Sequence, residues 1–412
     1  MTLQPPTDCD DQNLILRELI TQQITASPNQ RISFADYMNE VLYHPQQGYY
    51  ATPHTRIGAE GDFFTAPHLG ADFGELLAEQ LVEMWEILHQ PQPFTLVEMG
   101  AGQGILAADI LQYIQRQYPH CFEVIDYMII EKSPALKAEQ QQKLQNTFGS
   151  AVSVRWCEWD EIPEDSITGC FFSNELVDAL PVHQVIVRDR QLRELYVSLN
   201  SLNSHREGES SSNAYFTEIE GELSTPQLLS YFSPLKIDLL SNIYPEGYRT
   251  EINLAAIDWI TTIANKLHQG FVLTIDYGYS ADRYYTPTRS SGTLQCYYQH
   301  RHHNNPYIYI GKQDITAHVD FTALEKQGEL LELEVIGFTQ QALFLMALGL
   351  GDRIAANSQT PGQNLSEVLR RRDSLHSLIN PMGLGGFGVL IQGKRLTASK
   401  PIQLKGLTIP QF

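Results

Sequence analysis

A cluster of glycines that follows an apolar run carries the clearest chemistry in the chain. The segment 97–104 reads VEMGAGQG and places glycines at Gly100, Gly102 and Gly104. Glycines at this spacing let the backbone turn sharply and approach a ligand closely. A helix that begins directly after them would point its N-terminus at a carboxylate or a phosphate. The cluster therefore predicts a site for a ligand that carries an anionic group.

Two glutamates flank the cluster and narrow the choice of ligand. Glu98 stands at the end of the preceding apolar run, and Glu131 ends the next one. Glu98 would repel a pyrophosphate but could hold an ammonium group, whereas an acid placed like Glu131 commonly accepts the hydroxyls of a ribose. The third glycine also comes one residue earlier than in the dinucleotide motif G-x-G-x-x-G. The pattern favours S-adenosylmethionine (SAM) over a nicotinamide dinucleotide, although a tight turn without a ligand is an alternative. The predicted cofactor-binding residues are Glu98, Gly100, Gly102, Gly104 and Glu131.

A further polar group, SNELVDALP at 173–181, follows another apolar run. In an open α/β sheet, ligands bind beyond the carboxyl ends of the strands, next to the point where the strand order reverses. Carboxylates at that point could hold a planar guanidinium through paired hydrogen bonds. We therefore predict that Asn174, Glu175 and Asp178 are catalytic and face the transferred methyl group. Capping of a helix by Asn174 is an alternative, and both interpretations can hold together.

The elements that must position these residues alternate between strand and helix. Apolar runs of strand length are separated by segments with helical spacing, which predicts βαβ units and a parallel sheet. The predicted strands of this pattern are 94–99, 124–131, 152–156, 169–173 and 271–276.

The remaining segments suggest a chain of five parts. We expect a hairpin over 183–197, a helix over 225–240 and a long irregular segment at 277–318, whose length is typical of a functional loop. The predicted parts are an N-terminal helical cap (1–90), the first half of the core with the SAM site (91–180), an insertion lobe (181–250), the second half of the core with a helical insert at 340–380 (251–395), and a tail (396–412).

Composition excludes some partners and favours others. The 412 residues carry a formal charge of −20, which argues against nonspecific nucleic-acid binding and is compatible with a basic partner or with plain solubility. We find no apolar run long enough for membrane insertion. The five cysteines lack a CxxC spacing and are expected to be reduced thiols. The histidines around Arg301 lack a neighbouring carboxylate or cysteine, so we predict no metal site.

The N-terminal residues carry no basic residue before Arg17 and no apolar run, so we expect neither a signal nor a transit peptide and predict a cytoplasmic location. We keep a homodimer as an open alternative to a monomer.

In order along the chain, these motifs and several others resemble the MidA-like SAM-dependent methyltransferases. That family includes the mitochondrial arginine methyltransferase that acts in respiratory complex I assembly. The segment Gly311-Lys312-Gln313 departs from the family pattern, in which a second small residue stands near the glycine. The matching motifs are GDFFT (61–65), FG (73–74), EMGAGQG (98–104), SNE (173–175), DALPV (178–182), IDYG (275–278), GTL (292–294), DITAHVDF (314–321), 340–349 and MG (382–383).

The resemblance implies a Rossmann-type α/β methyltransferase core with a mostly parallel seven-stranded sheet, N-terminal helices and an insertion lobe of helices and a hairpin. It implies a protein arginine N-methyltransferase whose substrate is a subunit of a respiratory NADH dehydrogenase-type complex. It also points to Asp62, Asp276, Asp314 and His318 as substrate-binding residues. The alternatives are a methyltransferase of small molecules, a SAM-binding assembly protein with little catalysis, and a nicotinamide oxidoreductase.

Overall fold

The structure is a computed structural model of the chain. It describes the residues 13–51, 65–149, 151–200, 215–299, 301–357, 365–396 and 402–408.

Helices and strands alternate along most of this length. The helices are α1 (Leu14–Ala26), α2 (Phe34–Tyr43), α3 (Asp72–Ile87), α4 (Ile105–Gln117), α5 (Pro119–Phe122), α6 (Pro134–Phe148), α7 (Gln227–Ser230), α8 (Leu254–Lys266), α9 (Ala281–Tyr284), α10 (Phe321–Glu329), α11 (Gln341–Ala347), α12 (Leu350–Asn357) and α13 (Leu365–Ile379). The strands are β1 (Arg31–Ser33), β2 (Phe94–Met99), β3 (Ile125–Ile130), β4 (Ser153–Trp156), β5 (Ile167–Asn174), β6 (His183–Arg188), β7 (Gln191–Leu199), β8 (Phe216–Gly221), β9 (Arg249–Ile252), β10 (Leu267–Asp276), β11 (Gly278–Tyr279), β12 (Gln295–Tyr298), β13 (Arg301–His303), β14 (Asp314–Thr316), β15 (Val319–Asp320), β16 (Glu334–Gln340) and β17 (Gly388–Lys394).

Seven strands form the central sheet in the order β16-β17-β10-β5-β2-β3-β4. The pairs from β10 to β4 are parallel, whereas β17 runs antiparallel to both of its neighbours. The prediction of a mostly parallel seven-stranded sheet in a Rossmann-type α/β core is therefore confirmed. Because the strand order reverses at β2, the carboxyl ends of β2 and β5 meet at the switch point where such sheets bind ligands.

Helices bury both faces of this sheet, as a parallel sheet requires. Successive residues of β2 point to opposite faces, so Leu96 joins one apolar cluster and Val97 joins the other. Side chains of α3, α4 and α11 pack on the first face, and those of α8 and α10 pack on the second. The carboxyl ends of the strands between these layers carry the polar residues that we predict to bind the cofactor or to act in catalysis.

A second sheet, β1-β7-β6-β9 with β8 also on β7, lies outside the central sheet. Its β6–β7 hairpin confirms the hairpin predicted from the sequence. Asp189 and Arg190 form the two-residue turn with φ of 49° and 58°, the left-handed conformation that suits the twist of a hairpin.

Two predicted elements are wrong. The helix expected over 225–240 is only the short α7, because Pro234 cannot continue a helix and the segment instead buries Tyr231, Leu235 and Leu239 from successive turns. The segment 277–318, expected to be irregular, contains β11, α9 and a three-stranded sheet of β12, β13 and β14 in its described part. Cys296 and Ile315 of that sheet are fully buried against the N-terminal helices, which is why the segment is ordered.

Candidate active site

The glycine loop between β2 and α4 has the conformation that its sequence requires. Gly100, Gly102 and Gly104 have φ of 70°, 52° and 69°, a region that other residues enter only with strain. A Cβ atom on Gly100 would lie 2.8 Å from Cδ1 of Leu176, in the turn after β5. The loop therefore packs closely against that turn, and the ends of β2 and β5 share one site.

A cleft, which we call the glycine cleft, opens above this loop. The predicted residues Glu98, Gly100, Gly102 and Glu131 line it, and so do residues that no motif indicated. Gly104 instead is the N-cap residue of α4 and lies beside Gln140. The further lining residues include Tyr43, Tyr50, Thr65, His68, Gln103, Lys132, Ser133, Asn174 and Glu175.

The two predicted cofactor-binding carboxylates are held by donors of the chain itself. Glu98 is almost fully buried and accepts a hydrogen bond of 2.7 Å from the Tyr127 hydroxyl. Burial raises the pKa of Glu98 to about 7, against the opposing effect of that hydrogen bond. Glu131 accepts from the backbone N–H of Ser133 at 2.9 Å and from Nε2 of Gln140 at 3.1 Å, while burial raises its pKa. Each oxygen keeps a lone pair that can accept from a ligand.

Gln140 connects the glycine loop and Glu131 to strand β4, and sequence reasoning missed it. Its Nε2 donates to the carbonyl oxygen of Gly102 at 2.7 Å as well as to Glu131. Its Oε1 accepts from Nε1 of Trp156 at 2.8 Å, and the side chain is fully buried. A glutamine on a helix face gives no local signal of this role, because its partners lie on three separate elements.

The turn after β5 is fixed by an aspartate from the neighbouring strand. Oδ2 of Asp276 accepts from the backbone N–H groups of Leu176, Val177 and Asp178 at 3.2, 2.9 and 3.3 Å, and Oδ1 accepts from the N–H of Tyr277 at 2.9 Å. Asp276 is fully buried and lies outside the lining of either cavity, so the structure does not bring this predicted substrate-binding residue to the site surface. It is a positioning residue.

In the turn that Asp276 fixes, Glu175 has an unusual backbone conformation. Glu175 has φ of 53°, and its N–H donates to the carbonyl oxygen of Ile275 at 2.9 Å. A non-glycine residue in this region is held there by its surroundings and is often found at functional sites. Its carboxylate accepts from Nδ2 of Asn174 at 3.1 Å and from the N–H of Ala66.

A second cavity, which we call the acidic cavity, lies on the other side of Glu175. Three carboxylates line it, from Glu175, Asp178 and Asp314, and Arg283 is the cation in its described lining. Tyr50 and Glu175 line both the glycine cleft and the acidic cavity. Aromatic side chains complete its walls: Tyr50, Tyr277, Tyr279, Tyr297, Phe338 and Phe387.

Two carboxylates of the acidic cavity accept hydrogen bonds from tyrosine hydroxyls. The Tyr50 hydroxyl donates to Oδ1 of Asp314 at 2.9 Å, and Asp178 accepts from Tyr277. Oδ1 of Asp178, although buried, finds no partner within the described residues, and neither does Oδ1 of Asn174. Buried polar atoms are nearly always paired, so these two oxygens indicate a place for a ligand with N–H donors.

Burial makes the carboxyl groups of Glu175 and Asp178 hard to ionise. Burial raises the pKa of Glu175 to about 8, and the nearby Asp178 adds to the shift. Burial likewise raises the pKa of Asp178 to about 6, against the hydrogen bond from Tyr277. A cation placed between them would favour the ionised forms.

His318 forms part of the wall of the acidic cavity. Its ring stacks on Tyr279, with centroids 5.1 Å apart, and meets the edge of Tyr277. Burial lowers the pKa of the imidazole to about 4, so the ring is neutral at pH 7. The structure therefore places Asp314 and His318 together at the cavity, whereas Asp62 lies outside the described residues.

Within the part of the chain that the structure describes, no three histidine, cysteine, aspartate or glutamate side chains lie close enough to hold a metal ion. No helix there is both long and apolar enough to cross a membrane.

Comparisons with known proteins address the family directly. Residues 76–339 match the sequence model of a family described as "Putative S-adenosyl-L-methionine-dependent methyltransferase". A Burkholderia thailandensis protein whose crystal structure holds S-adenosyl-homocysteine is 29% identical, with a TM-score of 0.82 over 98% of this chain and 97% of that one. A native structure from the same organism is 30% identical, with a TM-score of 0.81 over 98% of each chain.

Curated relatives carry a more specific name. "Protein arginine methyltransferase NDUFAF7, mitochondrial" of Xenopus tropicalis is 26% identical over 96% of this chain and 90% of its own length. The human protein of that name is 26% identical over 94% of this chain and 85% of its own length.

These relatives also correct one prediction. The cytoplasmic location expected from the N-terminal residues is contradicted, because the relatives are named as mitochondrial.

The match to the family, the seven-stranded sheet and the bound nucleoside of the Burkholderia relative confirm the resemblance drawn from the sequence and leave no support for a nicotinamide cofactor. The chain belongs to this family of SAM-dependent methyltransferases, and its cofactor is SAM.

Proposed function

We propose that the protein is an arginine N-methyltransferase that takes the arginine side chain of a protein substrate into the acidic cavity. The observation that carries this proposal is the shared wall: Tyr50 and Glu175 line both the glycine cleft and the acidic cavity. A cofactor in the first and a guanidinium in the second would meet across Glu175.

The glycine cleft has groups suited to each part of SAM. Glu98 offers a carboxylate for the ammonium group, and Glu131 offers acceptors for the ribose hydroxyls. The backbone of Gly100 and Gly102 leaves room for close approach. When bound, SAM supplies a methyl group that is already activated on a sulfonium.

In the acidic cavity, the chain orients the nucleophile. A guanidinium presents a flat fork of N–H donors, and Glu175 and Asp178 can accept from two edges of that fork. Oδ1 of Asp178, unpaired among the described residues, supplies one acceptor without breaking an existing bond. Fixing the attacking nitrogen in this way is the main contribution to rate, because positioning alone can supply effective molarities of about 10⁵ M or more.

The attacking nitrogen must also lose one proton when it gains the methyl group. Glu175, whose pKa burial raises to about 8, is placed to accept that proton and release it to water. Asp276 holds the turn that carries Glu175 and Asp178, so it fixes both groups without touching the substrate.

The names of the curated relatives support the arginine substrate. From the family resemblance we further propose that the substrate is a subunit of a respiratory NADH dehydrogenase-type complex, methylated during assembly. The homodimer and the five-part division of the chain stay predictions.

The test is to incubate the full chain with methyl-labelled SAM and an isolated NADH dehydrogenase complex, and to hydrolyse the labelled protein to amino acids. We expect the label in methylarginine of one subunit, and the Asp178→Asn variant should leave that subunit unlabelled. Label in any other amino acid would contradict the arginine assignment.

A methyltransferase of small molecules is the second candidate. The acidic cavity has a volume of about 670 Å³, which lies within the range of ligand pockets. The same incubation with a protein-free extract would favour this candidate if the label appeared in a small molecule only.

A further inference from the structure

Apolar side chains also line the acidic cavity, in contrast to its carboxylates. Phe338, Met382 and Phe387 belong to the same lining, and we call these three residues the apolar rim. Met382 is 93% exposed and Phe338 is 46% exposed. Large apolar side chains gathered at the entrance of a binding cavity, unlike ones scattered singly, are typical of a surface that a partner covers.

The two phenylalanines of the apolar rim are held by packing against neighbouring rings. Phe338 lies in β16 and packs against Phe321, with ring centroids 5.0 Å apart. Phe387 lies directly before β17 and packs against Tyr277, with centroids 5.4 Å apart. Because Tyr277 also hydrogen-bonds Asp178, the rim is continuous with the carboxylates that face the guanidinium in our proposal.

We infer that the apolar rim binds an apolar side chain that stands within a few residues of the target arginine in a protein substrate. This inference rests on the proposed function and specifies its substrate class. The carboxylates select the cation, and an arginine that extends into the cavity leaves its neighbours in the sequence at the mouth. A leucine-sized side chain there would cover the exposed parts of Phe338 and Met382 and lose its own contact with water.

The test compares two synthetic peptides that share one arginine and differ at the flanking positions, where one carries leucines and the other serines. We expect the full-length enzyme to show a kcat/KM about tenfold higher for the leucine peptide, the scale at which apolar contacts discriminate between substrates. The gain should lie in KM, since the rim touches no reacting atom.

Two exposed apolar residues provide matched variants. Met382→Ser should reduce the preference for the leucine peptide, measured as the ratio of the two kcat/KM values, by about threefold and leave SAM affinity unchanged. Leu330→Ser removes an apolar side chain that is 75% exposed and lies outside the lining of the acidic cavity, so the preference should persist.

The outcomes separate this inference from the function on which it rests. If kcat/KM were equal for both peptides, or if the two variants lost the preference for the leucine peptide equally, the role of the apolar rim would be wrong. The proposal of arginine methylation would still stand. An enzyme that binds SAM but methylates neither peptide would contradict the proposed function, and the inference with it.

Discussion

The glycine cleft and the acidic cavity share a wall but are built in different ways. The predicted cofactor-binding groups of the cleft lie in one stretch of the chain, where Glu98, Gly102 and Glu131 are hydrogen-bonded to Tyr127 or Gln140. The acidic cavity collects Tyr50, Asp178, Asp314 and Phe387 from distant segments, and some of its acceptor atoms lack partners among the described residues. The comparison indicates a preformed cofactor site beside a substrate site that the substrate itself completes.

The strongest test of this division is the Glu175→Gln variant. The amide keeps the shape but cannot carry the charge or accept the proton, so kcat/KM for an arginine substrate should fall by more than about 100-fold. SAM affinity, measured by calorimetric titration, should change by less than about threefold, because Glu98 and Glu131 are intact. A variant that keeps full activity would show that Glu175 plays no part in catalysis.

Glu131→Gln should give the opposite pattern. Loss of a charged acceptor in a buried cleft weakens a hydrogen bond to a ligand by roughly 10- to 100-fold in affinity. We expect that loss in the Kd for SAM, while kcat at saturating SAM stays close to the wild-type value. If kcat fell and the Kd did not, Glu131 would act in catalysis and not in cofactor binding.

Substrate binding should strengthen as the pH rises. A guanidinium stays charged, and it favours the ionised form of Glu175, whose pKa is raised to about 8. Affinity is therefore low below this pKa and levels off above it. For an arginine peptide, measured with S-adenosyl-homocysteine present, the Kd should improve by about tenfold from pH 7 to pH 9, since each pH unit below the pKa costs about tenfold in ionised carboxylate.

The Glu175→Gln variant is the control for this profile, because it removes the titrating group. Its affinity for the peptide should be independent of pH over the same range. A wild-type profile without slope would show that the guanidinium binds away from Glu175.

The smallest effect is expected from Gln140→Leu. The variant removes the donors to Gly102 and Glu131 and leaves Nε1 of Trp156 without its acceptor. SAM affinity should fall by about fivefold, and the free energy of unfolding by about 1–3 kcal/mol, as for other buried groups left unpaired.

Gln145→Leu changes the same residue type at an exposed position of α6 and should alter neither quantity. An unchanged Kd in Gln140→Leu would mean that the glycine loop keeps its position without this side chain.

The same contrast explains what the sequence could predict. Strand β2, the glycines and Glu131 follow from local patterns, because apolar runs, turns and strand ends are encoded by neighbouring residues. The turn at Asn174 to Asp178 was found by the same logic applied to β5.

The acidic cavity was only partly predictable, because its residues meet through tertiary contacts. Asp314 and His318 came from the family resemblance, and Tyr50 and Phe338 were missed since single aromatic residues are common in any core. Asp276 carried the signal of a functional residue, an acid at a strand end, yet its four backbone donors make it a support. The sequence pattern predicts an acidic residue at the end of a strand, but it does not show which groups that residue contacts.

The most direct test of the account is a crystal structure of the protein with S-adenosyl-homocysteine and an arginine peptide. The account predicts the nucleoside in the glycine cleft, between Glu98 and Glu131, and the guanidinium within hydrogen-bond distance of Glu175 and Asp178. A guanidinium bound elsewhere, or a nucleoside that extends into the acidic cavity and fills it, would contradict the account.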